Sequence, residues 1–347
     1  MSKKICLMRL SAIGDVCHAV AMVNRIQQHW RDAALTWVIG KVEYQLVKQM
    51  PGIRFVIFDK SKGKAAVEAL KQELGNEEFD ALLMMQVALR ANMASRVIKA
   101  RRRIGFDWHR SKELHWLFAN ERVAAHPQAH VLDGFMDFAD KLGVPPVDAP
   151  AWDIPVSDED DAWAQAQAEE LGPFVVISPA ASKKERNWLP ERYASIANYL
   201  SNKGKSVILC GGPGALDRQT ASDIKACNPQ LAKDYTGQTS LHQLLALLKR
   251  AELVIAPDTG PAHMATTVGT PVIGLYAHSN PRRTGPYNNI DNVVSVYDEC
   301  IEEQKGKPWQ SLPWGTRAKG ATLMARIPES RVIEQIDNLL KDETPLR

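Results

Sequence analysis

The sequence has only five cysteines, an odd number, and no Cys-x-x-Cys pair. It therefore offers no disulfide framework to read, and a reduced, cytoplasmic compartment is the expectation. No His/Cys cluster has zinc-site spacing. No window approaches twenty apolar residues, so no membrane-spanning helix is expected. Arg9 cuts short the apolar run behind Met1-Ser2-Lys3-Lys4, which argues against a signal peptide. Charge of either sign is not in excess: 43 Lys and Arg face 40 Asp and Glu. That balance excludes a strongly basic nucleic-acid binder but leaves room for a local basic patch. There is no G-x-G-x-x-G fingerprint, so nicotinamide binding loses its main support. The glycine-rich turn Cys210-Gly211-Gly212-Pro213-Gly214 lacks the Lys-Ser/Thr of a P-loop.

What the chain does have is alternation. At 347 residues it is comfortable for two domains. Ile5–Leu10, Leu35–Ile39, Phe55–Phe58, Ala81–Met85 and the short Arg103-Ile104-Gly105 read as strands. Between and after them, Val16–Trp30, Ala65–Leu74 and Ala88–Ala100 read as helices. Val131, Phe135, Phe138 and Leu142 recur at helical spacing up to Gly143. Gly143-Val144-Pro145-Pro146 then reads as a linker, continuing to Pro150. A second series follows, with strands at Phe174–Ile177, Ser206–Cys210, Leu253–Ala256 and Val272–Tyr276, and helices at Pro190–Leu200 and Leu241–Lys249. Strands alternating with helices predict α/β architecture: two doubly wound parallel sheets, residues 1–150 and 151–327, with a cleft between them. The last helix, Ser330–Leu340, is expected to pack back on the first half. The stretch from Cys300 to Ala325 has no clear period and reads as a loop.

Chemistry is expected at the carboxyl ends of strands, where open α/β sheets bind their ligands. Asp258-Thr259-Gly260-Pro261-Ala262-His263 follows such a strand and opens a helix. Pro261 falls in its first turn, and the free N–H groups there suit a phosphate. The plainer alternative makes Asp258 a helix cap and His263 a packed histidine. Ser11-Ala12-Ile13-Gly14-Asp15-Val16 follows the first strand. Asp15 is either a first-turn acid or a carboxylate placed to take a proton from a hydroxyl. Ser182-Lys183-Lys184-Glu185-Arg186 places hydroxyl and cations after Phe174–Ile177. Arg186 offers a planar fork for a diphosphate, unless the loop is only a solvated basic turn. Asp217, just past the glycine turn, either contacts a ribose or lies on the surface. Asp158-Glu159-Asp160-Asp161 contains the D-x-D pattern of metal-dependent sugar transferases, but Ser157 with Asp160 reads as a helix cap, so no metal site is expected. Arg101-Arg102-Arg103 is expected to end a helix. With Arg9, Lys60, Lys62, Lys64, Arg110 and Lys112 it makes the first half locally basic, as an anionic acceptor or membrane surface would require.

Taken as an ordered set, Ser11–Val16, the Lys/Arg–Trp–Pro segment ending at Trp188 and Pro190, and Asp258–His263 resemble the lipopolysaccharide heptosyltransferases of glycosyltransferase family nine. The set reads as heptosyltransferase I-like. Tyr276 through Arg282-Arg283-Thr284-Gly285-Pro286-Tyr287 also matches. The resemblance implies a GT-B fold, with the terminal helix, 328–347, crossing back to the first domain. It implies inverting, metal-independent transfer of heptose from ADP-heptose to Kdo, or to a first heptose, of the inner core on Kdo-lipid A. No cofactor is implied. On that pattern Asp15 is the base. Asp258 contacts the heptose, and Thr259, Gly260 and His263 lie near the diphosphate. Arg186 stands where relatives commonly carry lysine. Ser182, Thr239 and Asp217 fall on donor-pocket positions. Arg9, Lys60, Lys64, Arg101 and Arg110 are acceptor-side candidates, and the protein is expected at the cytoplasmic face of the inner membrane. Another GT-B nucleotide-sugar enzyme, transferase or epimerase, and a non-catalytic nucleotide-sugar module remain the alternatives.

Overall fold

The computed structural model describes residues 3–229 and 231–340. The chain divides into two units, Met1–Pro155 and Val156–Arg347. The first holds strands β1 (Lys4–Met8), β2 (Ala34–Gly40), β3 (Ile53–Phe58), β4 (Glu78–Met84), β5 (Lys99–Gly105) and β6 (Glu121–Arg122). The second holds β7 (Phe174–Ile177), β8 (Ser206–Leu209), β9 (Lys233–Asp234), β10 (Leu253–Pro257), β11 (Val272–Tyr276) and β12 (Val294–Ser295). All pairings are parallel, in the orders β3-β2-β1-β4-β5-β6 and β12-β11-β10-β7-β8-β9. Counted from its own first strand, each sheet runs 3-2-1-4-5-6, the doubly wound order. Its winding reverses between β1 and β4, and again between β7 and β10.

The central strands are continuous apolar runs because both faces are covered by helices. All residues of β7, β10 and β11 are buried. Val175 and Ile177 pack with Tyr193, Ile196 and Leu200 of the Pro190–Asn202 helix, against which Ile255 and Ile273 also close. In the first unit Cys6, Met8, Val38, Leu82 and Met84 make the equivalent core with Leu70 and Leu74. Buried Cys6 and Cys210 are packing residues, and burial pushes both thiols far above their usual range. The Val131–Leu142 helix ends as its sequence demands: Gly143 takes the left-handed conformation, φ 88°, that side chains avoid.

Four expectations change. Ala88–Ala100 is not one helix. Only Leu89–Ala94 is α-helical, and Arg101, Arg102 and Arg103 lie inside β5, paired with β4. Helix-forming Ala, Met and Arg are overridden there by sheet pairing. The unit boundary falls after Pro155, beyond the Pro-rich stretch. Arg25 explains the delay: its guanidinium donates to the carbonyls of Pro145 (2.9 Å) and Val144 (2.7 Å), pinning the supposed linker. Trp152 Nε1 donates to Cys17 O at 2.9 Å and holds the next residues to the same helix. Finally, the last helix, Glu329–Leu339, packs by Val332 and Ile336 into the second unit's core against Pro190–Asn202. Trp188 Nε1 donates to Ile327 O (3.2 Å) and Ser195 Oγ to Glu329 (2.5 Å), which fix its start there. Residues 341–347 of the expected 328–347 element lie outside the described residues. Part of the expected 300–325 loop is helical too, Tyr297–Lys305, because Tyr297, Cys300 and Ile301 share a buried face.

Candidate functional site

In each unit the chemistry-bearing groups collect where the winding reverses. The strand edges separate there and leave backbone groups open to a ligand. In the first unit Arg9 follows β1 and reaches across to β4, donating to Met85 O at 2.6 Å. Gln86, just past β4, returns the contact by accepting from the N–H groups of Leu10 (3.2 Å) and Ser11 (3.4 Å). These bonds fix the turn into the Ile13–His29 helix, where Asp15 occupies the first turn. Its Oδ2 accepts from Ala12 N at 3.2 Å and pairs with the Arg9 guanidinium. Both contacts fall on one oxygen. The Asp15 side chain is about a third exposed, while Arg9 is nearly buried and stacks over Phe135. The first-turn acid and the solvent-facing carboxylate are thus the same residue.

In the second unit Thr259 caps the Gly260–Thr267 helix by position only. Its hydroxyl donates to Ala180 O, beyond β7, at 3.2 Å, and makes no cap bond to the helix's first N–H groups. The Asp258 cap alternative fails. The Asp258 carboxylate turns instead toward Arg186 Nη1 (3.4 Å), His263 Nε2 (3.8 Å) and Thr284 Oγ1 (3.4 Å). Arg186 also donates to Asp258 O at 3.2 Å, so one guanidinium grips both backbone and side chain of the residue. Burial pushes the Asp258 carboxyl up, but its bond to His263 and the Arg186 charge outweigh that and hold it below the usual range. Asp258 is therefore an anion at neutral pH, beside an open helix N-terminus.

The other expected residues divide. Ser182 lies exposed on the same loop as Arg186, and Thr239 is half-buried just before the Leu241–Arg250 helix. Asp217 buttresses the glycine turn: its Oδ1 accepts from Gly212 N at 2.9 Å, and a Cβ on Gly214 would meet Oδ2 at 2.7 Å. Lys60 and Lys64 are exposed beyond the carboxyl end of β3, the sheet edge that carries Asp15. Arg101 is not on that edge. It sits near the amino end of β5, beside Glu78 (3.3 Å) and Asp80 (3.9 Å). Arg110 bridges Asp107 and Asp137 (2.8 Å to the latter) and so holds the loop after β5. Among the described residues no three His, Cys, Asp or Glu side chains gather as a metal cage. The D-x-D run opens a helix as the capping reading expects: Ser157 Oγ accepts from Asp160 N at 3.1 Å and donates to Asp160 Oδ2 at 2.7 Å, and the neighbouring Asp161 is held by Arg250 at 2.9 and 3.0 Å.

Sequence reasoning missed Gln86, His278 and Arg317. His278 lies buried past β11, and Ala318 N donates to its backbone carbonyl at 3.0 Å, bringing Arg317 within electrostatic reach. Burial, with Arg186, Arg317 and Lys183 adding to it, holds the His278 ring below its usual pKa, hence neutral. The signal for Gln86 and His278 was present: both are the first polar side chains past a buried strand.

Two doubly wound units in one chain, each with its polar groups at the reversal of winding, make the GT-B class of glycosyltransferases. Solved structures share this fold over nearly the whole chain. A family 9 glycosyl transferase from Veillonella parvula aligns with TM-score 0.78 at 21% identity, covering 97% of each chain. E. coli ADP-heptose lps heptosyltransferase II aligns with TM-score 0.74 at 19% identity, covering 97% of this chain and 98% of that one. In sequence, residues 67–311 match the glycosyltransferase family 9 (heptosyltransferase) model. A Haemophilus influenzae lipopolysaccharide core heptosyltransferase, OpsX, is 45% identical over 97% of both chains. The chain belongs to glycosyltransferase family 9, the heptosyltransferases, and is an enzyme of that family. That membership sets aside the epimerase and non-catalytic readings.

Proposed function

We propose that this enzyme transfers L-glycero-D-manno-heptose from ADP-heptose to Kdo, or to a first heptose, of the lipopolysaccharide inner core, with inversion and without a metal. The observation that carries the donor half is the uncapped helix start at Thr259-Gly260 beside the Arg186–Asp258–His263 cluster. Loss of ADP develops negative charge on a phosphate oxygen. Open helix N–H groups and a held guanidinium are donors that need no reorganisation to meet it. Arg317, His278, Ser182, Thr239 and the Asp217-braced glycine turn are the further donor-side candidates. Support for this donor and acceptor comes from relatives: one solved E. coli heptosyltransferase, WaaC, is described with ADP, and the 45% identical relative is named for the lipopolysaccharide core.

The acceptor half rests on Asp15. Its Oδ2 is occupied by Arg9 and Ala12 N–H, which leaves Oδ1 for the acceptor hydroxyl. As the hydroxyl oxygen bonds to the anomeric carbon and the bond to the diphosphate breaks, Oδ1 takes the proton. ADP departs with the bonding pair. Arg9 then serves as a positioning residue, and Lys60 and Lys64 offer charge to an anionic sugar. The lipid-borne acceptor would place the enzyme at the cytoplasmic face of the inner membrane. The deciding experiment incubates the protein with ADP-heptose and core-truncated acceptors and reads product mass. Gain of one heptose is expected. Asp15→Asn should keep ADP affinity and lose about 10²-fold or more in transfer rate. Full activity in that variant would remove the base, and transfer only from another nucleotide sugar would remove the donor.

A further inference from the structure

Nine large apolar side chains are exposed among the described residues, and six of them come from one short stretch: Leu89, Met93, Trp108, Leu114, Trp116 and Leu117. Scattered singly they would need no account, but gathered they do. Trp108 and Trp116 lie with ring centroids 5.7 Å apart, and Trp108 and Leu117 are 60% and 58% exposed. Leu89 N donates to Glu113 Oε2 at 2.6 Å and Asn92 Nδ2 to Glu113 O at 3.3 Å, so the short helix and the loop form one surface.

That surface is built rather than loose. Buried His115 anchors it from beneath: Nδ1–H donates to Asn92 Oδ1 at 2.8 Å, and Nε2 accepts from Phe106 N at 3.2 Å. Glu113 and Leu114, neither of them glycine, hold left-handed backbone at φ 49° and 60°. The fold thus sustains strain at this turn while leaving the Leu114 side chain exposed. Arg122 stacks on Trp108 at 4.2 Å and donates to Trp116 O at 3.4 Å. Around the apolar tip stand the exposed cations Arg90, Arg96 and Lys112. The one exposed acid, Glu113, is engaged by Leu89 N–H. Tryptophan and leucine ringed by basic side chains match the interface of an anionic bilayer, where indole sits at headgroup depth and cations meet lipid phosphates. The loops follow β4 and β5, at the carboxyl ends of the same sheet that carries Asp15.

We propose that the face formed by Leu89–Met93 and Trp108–Leu117 seats the enzyme on an anionic phospholipid bilayer. It deepens the reading of a lipid-borne acceptor and rests on that reading only for its purpose, since bilayer binding needs no turnover. The test floats the full-length protein with phosphatidylglycerol–phosphatidylethanolamine vesicles and with phosphatidylcholine vesicles. Wild type should float with the anionic vesicles and be released by high salt. Acyl-brominated lipids should quench its tryptophan emission. The Trp108→Ser/Trp116→Ser/Leu117→Ser variant should partition about tenfold or more weakly and lose that quenching. Its ADP affinity and its transfer to a delipidated acceptor should be unchanged. Should that variant fold poorly, Lys112→Glu with Arg90→Glu replaces it and should halt anionic-vesicle binding alone. Wild type that binds neither vesicle, or a variant that binds like wild type, overturns the proposal. So does a wild-type dimer that this variant turns into monomer, which would make the face a protein contact. Vesicle binding without transfer from ADP-heptose would instead count against the proposed reaction.

Discussion

Replacing Asp258 by Asn removes one charge from a nearly closed cluster and little volume. Arg186 and Asp258 side chains are 17% and 12% exposed, so water screens the pair poorly. Removing one partner of such a pair leaves the other charge buried and costs about 3–5 kcal/mol. The contacts here are 3.4 and 3.8 Å rather than closer, which favours about 3 kcal/mol. At a urea dependence of roughly 2–3 kcal/mol per molar, the transition that reports the second unit should move down by about 1 M. The pH dependence separates charge from shape. The folded carboxyl lies below its unfolded value of about 3.9. Its stabilisation is therefore complete above that unfolded value and is lost as pH falls through the folded one. The gap between wild type and Asp258→Asn should be constant from pH 7 to about 5 and then close on further acidification. Urea titrations at several pH values, followed by circular dichroism, read this directly. A gap that keeps its full neutral-pH size as the pH falls below the unfolded value of about 3.9 would show that the charge is not what stabilises the cluster.

Other expectations follow from the same contacts. Arg25→Ala strips donors from Pro145 O, Val144 O and Asp140. It should cost about 3 kcal/mol and expose the 143–150 stretch to protease, read by limited proteolysis. Gly40→Ala would drive a Cβ to 2.3 Å from Leu10 O and 2.4 Å from Glu43 Oε2, so a loss of about 1–3 kcal/mol in stability is expected in thermal unfolding. Thiol labelling of native protein should modify Cys227 alone, since the other four cysteines are buried; rapid labelling of all five would contradict the packing.

The legible parts of this molecule are those where one physical demand dominates. Phe174–Ile177 and Val272–Tyr276 were bounded correctly because a strand covered on both faces must be apolar throughout. Asp258 and Asp15 stood out as acids at strand ends. The failures have causes of the same kind. Residues 99–102 look helical until β4 supplies a hydrogen-bonding edge, whereas Arg103-Ile104-Gly105 already reads as a strand. The Ala215–Cys227 helix escaped notice because only Thr220, Ala221 and Ile224 are buried, too few to set a period. Arg317 stayed hidden because its place depends on a single backbone bond from Ala318 to His278.

One consequence follows from the terminal helix joining the second core. Each sheet is then woven from an unbroken length of polypeptide, and no strand of the first waits for residues beyond Pro155. On the ribosome the amino-terminal half can complete its hydrogen-bond ladder while the remainder is still being translated. The later half must wait until Val332 and Ile336 have been translated before its core can close.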